Sequence, residues 1–136
     1  MYEHVLVPIM LDHGSRGTDA LKIADELVAD GGKITLLHVL EDVPAYVVSY
    51  IPEGIRDTHR QVASEKLGEL AKAVRADSEI AIIHGHASNG IMDYAQGHDV
   101  SCIVIASHKP GFEDYFLGST AARVVRHAQC SVHVLR

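Results

Sequence analysis

The segment Leu117-Gly118-Ser119-Thr120-Ala121 carries the strongest chemical signal in the chain. A glycine followed by hydroxyl residues at a predicted helix start exposes backbone N–H groups that have no helical carbonyl to bond. The helix dipole adds positive potential at that end, so the place suits an anion, and a phosphate in particular. The same residues also make an ordinary N-cap, in which Ser119 satisfies only its own helix. Such caps are common, and this segment by itself favours that plainer role. A second segment, Ala106-Ser107-His108-Lys109, leaves the end of an apolar strand. Ser107 is a donor for a phosphate and Lys109 a source of charge, although alone the segment reads as a polar loop. Together the two segments would bracket one crevice, with the intervening loop wrapping a polyphosphate.

Other chemistries find less support. No Walker sequence (G-x-x-x-x-G-K-[ST]) occurs, and no G-x-G-x-x-G follows the first predicted strand, which argues against a P-loop enzyme and a standard dinucleotide fold. Among the 10 histidines, His84 and His86 share one strand-like face, but no third ligand accompanies them, so no metal site is expected. His38 falls inside a strand and reads as a satisfied core or crevice-edge histidine. Asp12, His13 and His108 are the proton-handling groups near the crevice. Arg123 lies one turn after Ser119 on the same helix face, within reach of phosphates or of a surface ion pair. No Ser-His-Asp or Cys-His arrangement follows from the spacing, so catalysis extends at most to a slow ATPase.

These residues need elements to hold them. His4 to Ile9 reads as a first strand. Gly14-Ser15 opens a helix with Ala20, Leu21, Ala24, Leu27 and Val28 at helical spacing, stopped by Gly31-Gly32. Strands are predicted over 34–40, 79–84, 101–106 and 131–135. Residues 41–56, with Pro44, Pro52 and Gly54, read as a long loop. A helix is predicted from Asp57 to about Arg75, with Ala63, Leu67, Leu70 and Val74 on one face. Ser88 is expected to cap a short helix with Ile91, Met92, Tyr94 and Ala95 inward. Ser119 to His127 forms the last helix. Strands separated by helices imply right-handed crossovers and a parallel sheet covered on both faces. Ligands of such sheets sit outside the carboxyl ends of the strands, where the strand order reverses.

Bulk properties agree with that class. The chain has 136 residues, suiting one domain over 1–136, and 47% hydrophobic residues, enough for a sizeable core. Aromatics are 5% and Trp is absent, so the core is built from Val, Ile, Leu and Ala. A net charge of −6 opposes nonspecific binding to nucleic acid or anionic lipid. Cys102 and Cys130 form no zinc or redox motif, and Cys102 reads as a buried, inert thiol. No stretch is long and apolar enough for a membrane span, and the first residues lack the basic flank of a signal peptide. A reducing, cytoplasmic setting is expected.

Six segments in order resemble the universal stress protein family over almost the whole length. Val5-Leu6-Val7-Pro8 is similar to its opening strand, and Leu36-Leu37-His38-Val39 to its second. Gly85-His86-Ala87 with Ile91 and Ala95 is similar to G-x-[PA]-x-x-x-I-x-x-x-A. Ile103-Val104-Ile105-Ala106-Ser107-His108 is similar to I-V-[MI]-G-S-[HR]. Gly118-Ser119-Thr120-Ala121 matches the G-[ST] helix start, and Cys130-Ser131-Val132-His133-Val134 is similar to C-P-V-x-V. The spacing after Ser107 and the C-terminal segment look most like the bacterial F/G-type branch.

The resemblance implies a flavodoxin-like, open five-stranded parallel sheet of order 3-2-1-4-5. It implies ATP or ADP as ligand, with AMP and Mg²⁺ as further candidates. Adenine and ribose would lie at Pro8, Ile9, Met10 and Val39. The phosphates would lie on the positions of the family's G-x2-G-x9-G-[ST] motif, here Ala106, Ser107, His108, Lys109, Gly118, Ser119 and Thr120. Three departures stand out. Ala106 and Lys109 replace the two leading glycines, the spacer to Gly118 is one residue short, and Met10 replaces the usual aspartate. Asp12, two residues on, is placed to supply that acid. A homodimer through the C-terminal strand is implied, with pairing into tetramers left open. The expected function is a nucleotide-binding stress-response or regulatory module with an unidentified partner. A slow ATPase and a nucleotide-free dimerisation module are the alternatives.

Overall fold

The computed structural model describes residues 1–11, 17–41, 45–107 and 117–136. Its elements run β1 (Tyr2–Pro8), α1 (Gly17–Leu27), β2 (Val28–Glu41), α2 (Ala45–Val48), α3 (Ile55–Ala71), β3 (Asp77–Gly85), α4 (Ala87–Gly97), β4 (Cys102–Ala106), α5 (Ser119–His127) and β5 (Ser131–Leu135). The strands form one parallel sheet of order β3-β2-β1-β4-β5.

The central strands read as continuous apolar runs because both of their faces are covered. Val5, Leu6 and Val7 are all fully buried. Alternation divides their side chains between two cores. Val5, Val7, Ile34, Leu36 and Val104 pack with Ala20, Leu21 and Ala24 of α1 and Leu67 of α3. Leu6, Leu37, Ile103 and Ile105 pack on the other face with Ile91 and Ala95 of α4 and Ala121 and Val124 of α5. The apolar stripes expected on α3 and α4 are therefore the buried ones.

Three local expectations are corrected. Val28 belongs to β2 rather than to the preceding helix, and it pairs with Tyr2. The ladder then jumps to His4 opposite Lys33, and Gly31 absorbs the irregularity at φ 80°. The tertiary pairing with β1 captures a residue whose helical spacing was equally good. Residues 41–56 are not all loop: α2 forms over Ala45–Val48 and α3 begins at Ile55, just after Gly54 turns the chain at φ 86°. Ser88 does not cap α4. Gly85 leaves β3 at φ 139°, a conformation suited to glycine, so the helix starts two residues earlier than expected. His86 is the N-cap, accepting the first helical bond from Gly90 N at 2.8 Å, and Ser88 is buried inside the first turn.

Candidate functional site

β1 hands the chain to a helix on one face of the sheet, and its neighbour β4 to a helix on the other, so the strand order reverses between them. Their carboxyl ends face each other across that point. The pairing of Leu6 with Ile103, continued up the strands, brings Ile9 level with Ala106. Ala106 is the last residue of β4 and pairs with Leu135. Ser107, 1% exposed, follows it, its N–H donating to the Leu135 carbonyl at 2.9 Å.

The two predicted phosphate segments meet directly. The Gly118 N–H donates to the Ser107 carbonyl, so the start of α5 is tied to the end of β4. Gly118 is the N-cap residue and has no side chain with which to cap the helix; Ser119 is the first helical residue, not the cap. The reading in which Ser119 serves only as an N-cap is thereby removed. The amide groups of the first turn point out of the helix with no carbonyl of their own to bond. Ser119 is exposed, and Gly118 and Thr120 are partly exposed. α5 places Arg126 and His127 in its last turn, where positive charge suits the carbonyl end. Arg123 is exposed on the same helix. His108, Lys109, Asp12 and His13 lie outside the described residues.

At the other side of the switch point, the Ile9 N–H donates to the Leu37 carbonyl at 2.8 Å, extending the β1–β2 ladder past Pro8. His38 Nδ1 donates to the Ile9 carbonyl at 2.8 Å, so Nδ1 carries a hydrogen. His38 is thus the crevice-edge histidine expected from its strand position, and it pins the turn that presents Met10. Its contribution to the site was not foreseen, because the partner is a backbone carbonyl 29 positions away. Met10 is 54% exposed at the strand end. Val39 is half-buried against the α4 face, where an added Cβ on Gly90 would come within 3.5 Å of its methyls. Val39 therefore forms the floor beneath the β2 end more than an open contact.

His84 and His86 have other partners. Arg60 Nη1 approaches His84 Nε2 at 3.4 Å, and His86 Nδ1 is 3.2 Å from Ser88 Oγ. Among the described residues no three His, Cys, Asp or Glu groups gather as metal ligands. Burial pushes the Cys102 thiol up to about 11, so it stays protonated and unreactive at neutral pH. No helix of the described residues is long and apolar enough to cross a membrane.

A parallel sheet covered on both faces, with a helix start tied to a strand end at its switch point, defines the doubly wound α/β class, whose ligands lie at such points. Within that class the model of the universal stress protein family matches residues 1–136, and the chain belongs to that family. It is 28% identical over 142 residues to universal stress protein G of Shigella flexneri, with 100% of both chains covered. The solved structure of universal stress protein UspA from Lactobacillus plantarum superimposes with a TM-score of 0.73 at 24% identity, covering 99% of this chain and 98% of that one. The universal stress protein of Archaeoglobus fulgidus, determined in complex with dAMP, gives a TM-score of 0.68 at 21% identity, covering 99% of this chain and 98% of that one.

Proposed function

We propose that this chain is one adenine-nucleotide-binding domain that acts as a regulatory module in stress response, taking ATP or ADP at the β1–β4 switch point. The observation that carries the proposal is the bond from Gly118 N–H to the Ser107 carbonyl, which joins the two phosphate segments beside the Ile9–Met10 turn. The donor set fits a polyphosphate: uncapped amides at the start of α5, with Ser107 beside them and the dipole aligned. The base and ribose would lie toward Ile9, Met10 and Pro8, over the Val39 floor. Lys109 and His108 are proposed as further phosphate contacts, and Mg²⁺ as a companion of ATP. The dAMP complex of the Archaeoglobus fulgidus relative supports an adenine nucleotide as the ligand class.

The module would act as a homodimer through β5. β5 pairs only with β4 among the described strands, so one of its edges offers unpaired backbone groups, and Val132 and Val134 remain only partly buried. A second copy adding its own β5 would cover that edge. The two cysteines are free thiols, which suits a reducing, cytoplasmic setting. Titration calorimetry with ATP, ADP and AMP tests the ligand. Micromolar binding of at least one is expected, and no heat and no thermal shift at millimolar nucleotide would overturn the proposal.

A further inference from the structure

A chain of polar side chains crosses the α4 face of the sheet, well below the crevice. His4 on β1 is 4% exposed and Thr35 on β2 fully buried. His4 Nδ1 lies 2.9 Å from the His98 carbonyl, and Nε2 lies 2.7 Å from Thr35 Oγ1. Thr35 Oγ1 is 3.0 Å from Glu79 Oε1 on the edge strand β3, and Lys33 Nζ is 3.2 Å from the same oxygen. The Tyr94 ring of α4 stacks on that of His98 at 3.8 Å. Lys33, Glu79, Tyr94 and His98 are therefore the titratable groups facing His4 from β2, β3, α4 and the end of α4.

Counting hydrogens along this chain decides the charge that the geometry requires. A carbonyl only accepts, so Nδ1 carries a hydrogen. Burial works against the Glu79 carboxylate, but the bonds from Thr35 and Lys33 outweigh it and hold Glu79 below the usual carboxylate range. An ionised carboxylate also only accepts, so the single Thr35 hydrogen goes to Glu79. Thr35 then meets Nε2 with a lone pair. Nε2 must therefore donate, and both ring nitrogens carry hydrogens only in the imidazolium. Burial opposes that charge most strongly and sets the His4 pKa below 6.5, although the His98 carbonyl and Glu79 pull upward. Neutral His4 lacks the Nε2 hydrogen and needs a donor there. Thr35 is the hydroxyl at hand, and it gives up Glu79 to supply one.

We propose that His4, Thr35 and Glu79 form a proton-operated switch between the core strand β1 and the edge strand β3. Protonation at Nε2 turns the Thr35 hydrogen to Glu79, and loss of that proton turns it back to His4, leaving Glu79 on Lys33 alone. Folding favours neutral His4, so its stabilising effect is complete above pH 6.5 and is lost as pH falls through the folded value. The lowered Glu79 pKa adds a further loss at lower pH, below 4.5. The acid form thus tightens one side-chain tie while the fold as a whole weakens.

The test is nitrogen-15 NMR of the full chain titrated from about pH 7.5 to 4.5, the range in which histidine changes charge. The His4 ring signals are assigned with His4→Gln. The expected result is that Nε2 changes from acceptor to N–H with a midpoint below 6.5, and that the amides of Ser78, Glu79 and Ile80 follow the same midpoint. Thr35→Val should keep the His4 titration and abolish the β3 response, and Thr35→Ser should restore it. Glu79→Gln, at an exposed carboxylate, should move the His4 midpoint further down. Persistence of the β3 response in Thr35→Val, His4 titration without it in the parent, an unmoved or raised midpoint in Glu79→Gln, or no Nε2 protonation would each overturn the proposal.

Discussion

Gly118→Val separates the role of the α5 start in binding from its role in folding. Gly118 has φ −54° and ψ 152°, an extended backbone that any residue adopts and that valine favours. Its N–H bond to the Ser107 carbonyl survives the change, because the backbone donor remains. At an N-cap position, replacing glycine by a β-branched residue costs the fold roughly 1 kcal/mol. In a chain of this size that lowers the melting temperature by about 4 °C. Binding loses far more. Two branched methyls would stand where a phosphate must approach the Ser119 and Thr120 amides. A hydrogen bond to a charged group is worth about 1.5–3 kcal/mol, so losing two costs about 3–6 kcal/mol. Affinity for ATP should therefore fall at least about 100-fold. Calorimetry with ATP and ADP measures the binding, and thermal unfolding of the nucleotide-free protein measures the fold. Gly118→Ala, with one methyl, should fall between. Binding by Gly118→Val within about threefold of the parent would show that the phosphates lie elsewhere.

Met10→Asp should tighten ATP binding by about 1 kcal/mol through one added hydrogen bond to ribose or base, read by calorimetry; unchanged affinity would mean that another group already fills that role. Val132→Lys puts a charge into the partly buried edge at β5 and should give monomers by light scattering, whereas a persisting dimer would move the interface elsewhere. Gly32→Ala should destabilise the fold by about 1–3 kcal/mol, because overpacking here cannot be relieved by rotating a side chain. Its Cβ would sit 2.8 Å from the Glu3 carbonyl oxygen and 3.0 Å from that of Ala29, and an unchanged melting temperature would refute the close approach. Phosphate release from ATP should stay below ~1 s⁻¹, the low end of ordinary enzymes. Faster release that disappears in Lys109→Ala would make the chain an ATPase.

The class of fold was legible in the sequence because it rests on patterns that local chemistry enforces. Apolar runs such as Val5-Leu6-Val7 and Ile103-Val104-Ile105 must be buried on both faces. The helical stripe at Ala63 and Leu67 has one place to go, and right-handed crossovers follow from chain chirality. The sequence also marked the two segments proposed to hold phosphate, although each by itself favoured a plainer role. Their meeting at one crevice was expected, but the bond from Gly118 to Ser107 was not, because it joins residues that no local rule connects. Boundaries failed where a tertiary contact outweighed a local preference: Val28 joined β2 because Tyr2 was there to pair with it. His38 and His4 show the same division. The sequence marked His38 as a polar residue inside a strand, and so in need of a partner, whereas His4 was read only as the start of the first strand. Which partner, and hence which nitrogen holds a proton, was decided by the sheet order, which sets Ile9 beside His38 and lines up His4, Thr35 and Glu79 across three neighbouring strands.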